Sequence, residues 1–127
     1  MRQLLAFTVL ASLALAAPIS VGAQPKPDTA HGAEVFQDTC IACHIPAGGG
    51  PGPTLVGVVG RKAAAVPGAV FTKPLQDSGL TWTTDKLDTF LVNPGAMVPG
   101  TAMPMSVPDP KDRADLIAYL ASPDNKP

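Results

Sequence analysis

Along residues 31–44, "HGAEVFQDTCIACH", the positions Ala33, Phe36, Cys40 and Cys43 recur at offsets of 0, 3, 7 and 10, the stripe of one helical face. Glu34 near the start of the run suits the positive end of a helix. A second stripe, Leu87, Phe90 and Leu91, runs through "TTDKLDTFLVNP". There Thr83 or Thr84 offers an N-cap, Asp85 occupies the first turn and Pro94 stops the helix. A third, Leu116, Ile117 and Leu120, lies in "DPKDRADLIAYLASP". It has Asp109 as cap, Pro110 at the first helical position, Asp112 in the first turn and Pro123 beyond the end.

Residues 45–82 show no such period. "IPAGGGPGPTLVGVVG" is turn-rich, and "RKAAAVPGAVFTKPLQDSGLTW" holds two prolines and two glycines. Proline makes up 15 of the 127 residues, which removes backbone donors throughout. Neither strand alternation nor an internal repeat emerges. Yet Leu55, Val56, Val58, Val59, Val66, Val70 and Phe71 make the stretch too apolar for a disordered segment. Three short helices and 38 irregular residues offer little regular backbone around which to build a core. A large apolar cofactor at the centre resolves the mismatch, because loops can pack their side chains against it.

The first residues follow another pattern. Arg2 precedes a 14-residue run, Leu4 to Ala17, broken only by Thr8 and Ser12, and Val21-Gly22-Ala23 places small residues before a cleavage point. Residues 1–23 therefore read as a secretory signal peptide; as a membrane anchor the run falls short of the roughly 20 residues a span needs. Cleavage leaves Gln24 to Pro127, in which removal of Arg2 leaves 8 basic against 10 acidic side chains. With no basic run, nucleic acid is excluded as a partner. "QPKPDTA", residues 24–30, reads as a flexible lead. The destination is an exported, oxidising compartment, the periplasm, and no membrane span remains.

Cys40 and Cys43 are the only cysteines, and His44 follows directly. Cys-x-x-Cys-His is the spacing of c-type haem attachment. Two thiols about one helical turn apart reach two vinyl groups on one side of a porphyrin, and the next residue presents an imidazole to the iron. A redox disulfide calls for the pair at a helix N-terminus after a strand, but here it ends a helix. A structural zinc site calls for about four ligands, and beyond this trio only His31 is a further His or Cys. His31 lies 13 residues before His44, too near to reach the opposite haem face, and reads as an exposed histidine ahead of the helix. Met97, Met103 and Met105, in "NPGAMVPGTAMPM", are the remaining candidates for a second axial ligand.

The segments "GAEVF", "CIACH", "GPTLVGVVGRKA", "SGLTWT", "FLVNP", "PGTAM" and "RADLIAYL" occur in the order found in class I c-type cytochromes, and nearly the whole exported chain resembles that family of mitochondrial cytochrome c and bacterial cytochrome c2. The resemblance implies an all-α, small cytochrome c fold over residues 31–122, three to five short helices and long loops wrapped around one covalent haem c, with 123–127 as a C-terminal tail. It implies haem attachment through Cys40 and Cys43, His44 as proximal ligand, the Pro53 carbonyl as acceptor for its imidazole N–H, and Met103, ahead of Met105, as axial methionine. Arg61 and Trp82 match positions that hydrogen-bond or charge-balance a haem propionate. Gly32 and Phe36 would pack against Leu116 and Tyr119.

Three departures make the expected haem surroundings drier. Phe71 and Phe90 stand where tyrosines are common, and Leu75 where an asparagine is common; the turn from His44 to Pro53 is also short. A positive reduction potential is the expectation. Gly95, Ala96 and Ala102 replace lysines that ring the haem edge in mitochondrial members, and Met97, Val98, Met105 and Val107 are expected to form an apolar rim. Partner encounter should then rely little on electrostatic steering.

The resemblance implies a soluble, monomeric electron carrier and not an enzyme. Its expected partners are a quinol-oxidising cytochrome complex as donor, with an oxidase, reaction centre or dehydrogenase on the other side. The alternative is a haem-containing redox subunit or enzyme of sulfur oxidation or peroxide reduction. The loop from Asn93 to Pro108 contains no His, Cys, Arg or carboxylate, which argues against acid–base chemistry there.

Overall fold

The computed structural model describes residues 25–127; the signal peptide read over residues 1–23 lies outside them. Five helices follow in order: α1 (Thr29–Thr39), α2 (Lys73–Asp77), α3 (Thr84–Val92), α4 (Pro94–Met97) and α5 (Pro110–Ala121). No strand occurs among the described residues. An isolated bridge joins Lys62 to Thr81, and backbone bonds Gly60 N–H to Trp82 O, Trp82 N–H to Arg61 O and Ala63 N–H to Leu80 O, each 2.8 Å, close the loop between them.

α1 crosses α5 at Gly32. A Cβ there would stand 2.0 Å from the Asp115 carbonyl oxygen, so only glycine lets the two backbones approach this closely. One turn on, the Phe36 ring packs on Tyr119 with centroids 5.6 Å apart, and Phe36 and Leu116 are almost wholly buried. α3 contributes Leu87, Phe90 and Leu91, and Ile117 and Leu120 continue the core on α5.

The caps have local causes. Asp28 accepts from the amides of Ala30 and His31, Thr83 from Lys86, and Asp109 from Lys111 and Asp112. Pro110 opens α5 where its missing N–H costs nothing. Pro94 ends α3 as expected, but also begins α4, because Asn93 Oδ1 caps the Ala96 amide at 3.0 Å.

Three expectations need correction, and the C-terminal tail gains a detail. α1 ends at Thr39 rather than running through the cysteines: the Ile41 N–H reaches back to Phe36 O at 3.0 Å, a widened turn that resets the register. The flexible lead ends earlier than residue 30, since Asp28 already caps α1 and its own N–H donates to Asp115 Oδ1 at 2.8 Å. The tail is tied down: Asn125 is buried, and its Nδ2 donates to Leu120 O and to Leu55 O. His31 lies inside α1, and its Nδ1 meets Asp115 Oδ2 at 2.8 Å.

Candidate haem cleft

After the widened turn the chain makes one further tight turn. Cys43 N–H and His44 N–H both donate to Cys40 O, at 3.1 and 2.9 Å. This turn sets Cys40 buried, Cys43 exposed and His44 half-buried on the wall of one cleft. Burial first, and the neighbouring Cys43 second, pushes the Cys40 thiol up to about 11. A thiol so reluctant to ionise is a poor exchange nucleophile, which weighs against the redox-disulfide use. Among the described residues no group of three or more His, Cys, Asp or Glu gathers as a metal site, which weighs against zinc.

The glycine-rich loop then folds back on this turn. Gly52 N–H donates to Cys43 O at 3.0 Å, and a Cβ on Gly52 would lie 2.8 Å from the His44 ring. The absence of that Cβ lets the loop bring Pro53 O to 2.7 Å from His44 Nδ1. A carbonyl only accepts, so Nδ1 carries the proton and Nε2 keeps its lone pair for a metal. The loop is braced by Thr54 Oγ1 donating to Pro46 O at 2.8 Å.

All seven residues singled out in the sequence line this cleft: Cys40, Cys43, His44, Pro53, Arg61, Trp82 and Met103. Trp82 is buried against Phe90, with ring centroids 4.9 Å apart. Arg61 spends two N–H groups on backbone, Nη2 on Thr54 O and Nη1 on Val56 O, and burial lowers its pKa from the usual range. Phe71, Leu75 and Phe90 all line the same space.

The methionines separate. Met103 is half-buried in the cleft wall and packs on the core, whereas Met105 also borders the cleft but is 46% exposed. Met97 borders a different, shallow groove beside Asp88 and Val92. The Met103 loop is held at Gly100, which has φ +89° and whose Cβ would strike Pro74 Cγ of α2 at 2.9 Å. Farther along, the Val107 N–H donates to Leu91 O at 2.8 Å. The expected apolar rim is therefore different: Val98 and Val107 point into the core, and Met105 shares the cleft mouth with Val70, which is 91% exposed.

One residue escaped the sequence reading. Thr72, at the N-cap of α2, lines the cleft, and its hydroxyl is buried with no hydrogen-bond partner. Nothing in the sequence around it distinguishes this threonine from its neighbours; only the unpaired hydroxyl does. A bound group carrying an acceptor at that wall would satisfy it.

Comparison with known proteins agrees with this architecture. A family model described as cytochrome c matches residues 29–123. Cytochrome c of Tetrahymena pyriformis is 45% identical over 100 residues, covering 77% of this chain and 91% of that one. Cytochrome c2 of Rhodopila globiformis is 41% identical over 102 residues, covering 78% and 96%. Among solved structures, cytochrome cH from Methylobacterium extorquens aligns with a TM-score of 0.70 at 45% identity, over 73% of this chain and 96% of that one. By these matches the chain belongs to the cytochrome c family, carriers of electrons built on one covalently attached haem c.

Proposed function

We propose that this cytochrome is an exported, periplasmic carrier of single electrons, whose haem would be bonded through Cys40 and Cys43 and its iron held by His44 and Met103. The observation that carries the reading is the convergence of the Cys-x-x-Cys-His turn and Met103 on one apolar cleft, with His44 Nδ1 already engaged by Pro53 O. When bound, the haem supplies a one-electron ferric/ferrous couple. His44 presents Nε2, its orientation set by the Pro53 carbonyl. Met103 presents a soft thioether that favours the reduced metal. Trp82, Phe90, Phe71 and Leu75 exclude water. Arg61 and the unpaired Thr72 hydroxyl stand in the wall as partners for the propionates.

With His44 and Met103 both holding the iron, no place would be left for a substrate, which supports transfer over catalysis. The partners are redox proteins: a quinol-oxidising cytochrome complex as donor, and an oxidase, reaction centre or dehydrogenase as the other. Among the described residues no helix is long and apolar enough to cross a membrane. The carrier acts as a monomer after cleavage of residues 1–23.

The test is spectroscopic. Periplasmic expression with the haem-attachment machinery should give a coloured protein whose haem resists acid–acetone extraction. The weak near-infrared sulfur-to-iron band of the oxidised form should vanish in Met103→Ala and persist in Met105→Ala. Extractable haem sinks the covalent assignment, and a band that survives Met103→Ala sinks the ligand assignment.

A further inference from the structure

Four successive carbonyls, Pro53 to Val56, each accept a hydrogen bond from a side chain. His44 Nδ1 donates to Pro53 O at 2.7 Å, Arg61 Nη2 to Thr54 O at 2.8 Å, Asn125 Nδ2 to Leu55 O at 2.9 Å and Arg61 Nη1 to Val56 O at 2.9 Å. The segment belongs to no helix or strand, so side chains do most of the pairing that a ladder would otherwise do, beside a backbone bond from the Val58 N–H to Leu55 O at 3.1 Å. His44 and Arg61 are near neighbours in sequence; Asn125 reaches the segment from 70 residues away.

Asn125 is 5% exposed and divides its amide N–H groups between Leu55 O and Leu120 O, the latter at 3.0 Å near the end of α5. Two carbonyl acceptors identify the nitrogen end of the amide. Its Oδ1 is left buried and without a partner. An unpaired buried oxygen is costly, and an apolar side chain would avoid that cost. What the position gains in exchange is a bridge from α5 to the loop that carries Pro53.

We infer that Asn125 is a positioning residue for the proximal ligand: by tying Leu55 O to the end of α5 it keeps the Pro53 carbonyl, two residues away, against the His44 ring N–H. The inference rests on the haem reading above. The hydrogen bond from a ligating histidine to a carbonyl raises the basicity of the ligand nitrogen. A stronger donor stabilises ferric iron, so Asn125 holds the potential below the value an untethered loop would give.

The experiment compares Asn125→Ala with Ser122→Ala in the haem-loaded protein. Ser122 Oγ donates to Tyr119 O at 2.8 Å, so its variant loosens the same C-terminal segment without touching residues 53–56. By NMR of the reduced protein, the His44 Nδ1–H should exchange with solvent about tenfold faster in Asn125→Ala than in Ser122→Ala. The reduction potential should rise in the first and stay at the wild-type value in the second. Asn125→Asp, which turns a charged oxygen toward two carbonyls, should accelerate exchange at least as much and supplies the comparison if Asn125→Ala accumulates poorly. Equal exchange in the Asn125 and Ser122 variants, or an unmoved potential, overturns the inference while leaving the haem reading intact. A wild-type protein without covalent haem overturns both, and the absorption spectrum taken first tells the two failures apart.

Discussion

The Nδ1 of His31 on α1 lies 2.8 Å from Oδ2 of Asp115 on α5, a carboxylate only 2% exposed. Asp115 also accepts from the Asp28 N–H and from Lys111 Nζ, and Asp112 stands 3.7 Å from the other ring nitrogen of His31. The Lys111 bond, then the Asp28 N–H, and to a smaller degree His31, hold the Asp115 carboxyl down at about 2. The Asp115 bond raises the His31 pKa above 6.5. For His31, a raised folded value means stabilisation complete below 6.5 and lost as pH climbs through the folded value. For Asp115, a depressed value means stabilisation complete above 3.8 and lost as pH falls toward 2. The helix crossing is therefore firmest between these limits. The Tm of the wild type should fall as pH rises from 6 to 8, and His31→Gln should flatten that fall. Parallel Tm profiles for the two proteins would show that the pair makes no pH-dependent contribution.

Gly32→Ala tests the same crossing without charge. The added methyl carbon would meet backbone at 2.0 Å and Tyr119 Cβ at 2.9 Å, and neither can rotate away. The helices must separate, so denaturant unfolding of the haem-loaded protein should show a loss of about 3 kcal/mol. A loss under about 0.5 kcal/mol, the size of an ordinary surface change, would mean that the close approach is not what orders the termini.

Legibility followed the range of the signals. α3 and α5 are readable because cap, apolar stripe and terminating proline all lie within one short window. α2 and α4, of 5 and 4 residues, are too short for a stripe to repeat, and Asn93-Pro94 reads as a stop although it is also a start. The trio Cys40, Cys43 and His44, proposed to hold the haem, is readable because haem-attachment chemistry fixes its spacing. Asp115 and Asn125 are not: a charged residue beside an apolar stripe and an amide in a polar tail look solvated until distant chain covers them. The end of α1 at Thr39 depends on a single widened hydrogen bond, which no residue type announces.

Thr72 separates two accounts of the cleft wall. If its buried hydroxyl donates to a haem propionate, the nearly isosteric Thr72→Val should destabilise the haem-loaded protein by about 2 kcal/mol, as expected for a bond to a charged acceptor. If no acceptor arrives, valine removes an unpaired polar group, and the variant should equal or exceed the wild type in stability. Unfolding monitored at the haem absorption decides between them.

Electrostatics at the cleft mouth yield the last prediction. Of the residues lining the cleft only Arg61 and Lys62 are charged, Arg61 is occupied with carbonyls and Lys62 is exposed; Val70 and Met105 are the exposed large hydrophobic side chains there. Steered encounters between charged surfaces lose rate steeply as salt shortens the Debye length from about 30 Å at 0.01 M to about 8 Å at 0.15 M. An apolar mouth lacks that dependence, because burial of Val70 and Met105 against a partner is indifferent to ionic screening. Electron transfer to a purified oxidase should therefore change by less than about threefold over this range, and Val70→Lys should steepen the dependence toward an acidic partner. A tenfold fall with the wild type would mean that charges beyond the mouth, such as Lys73 or Lys86, govern docking instead.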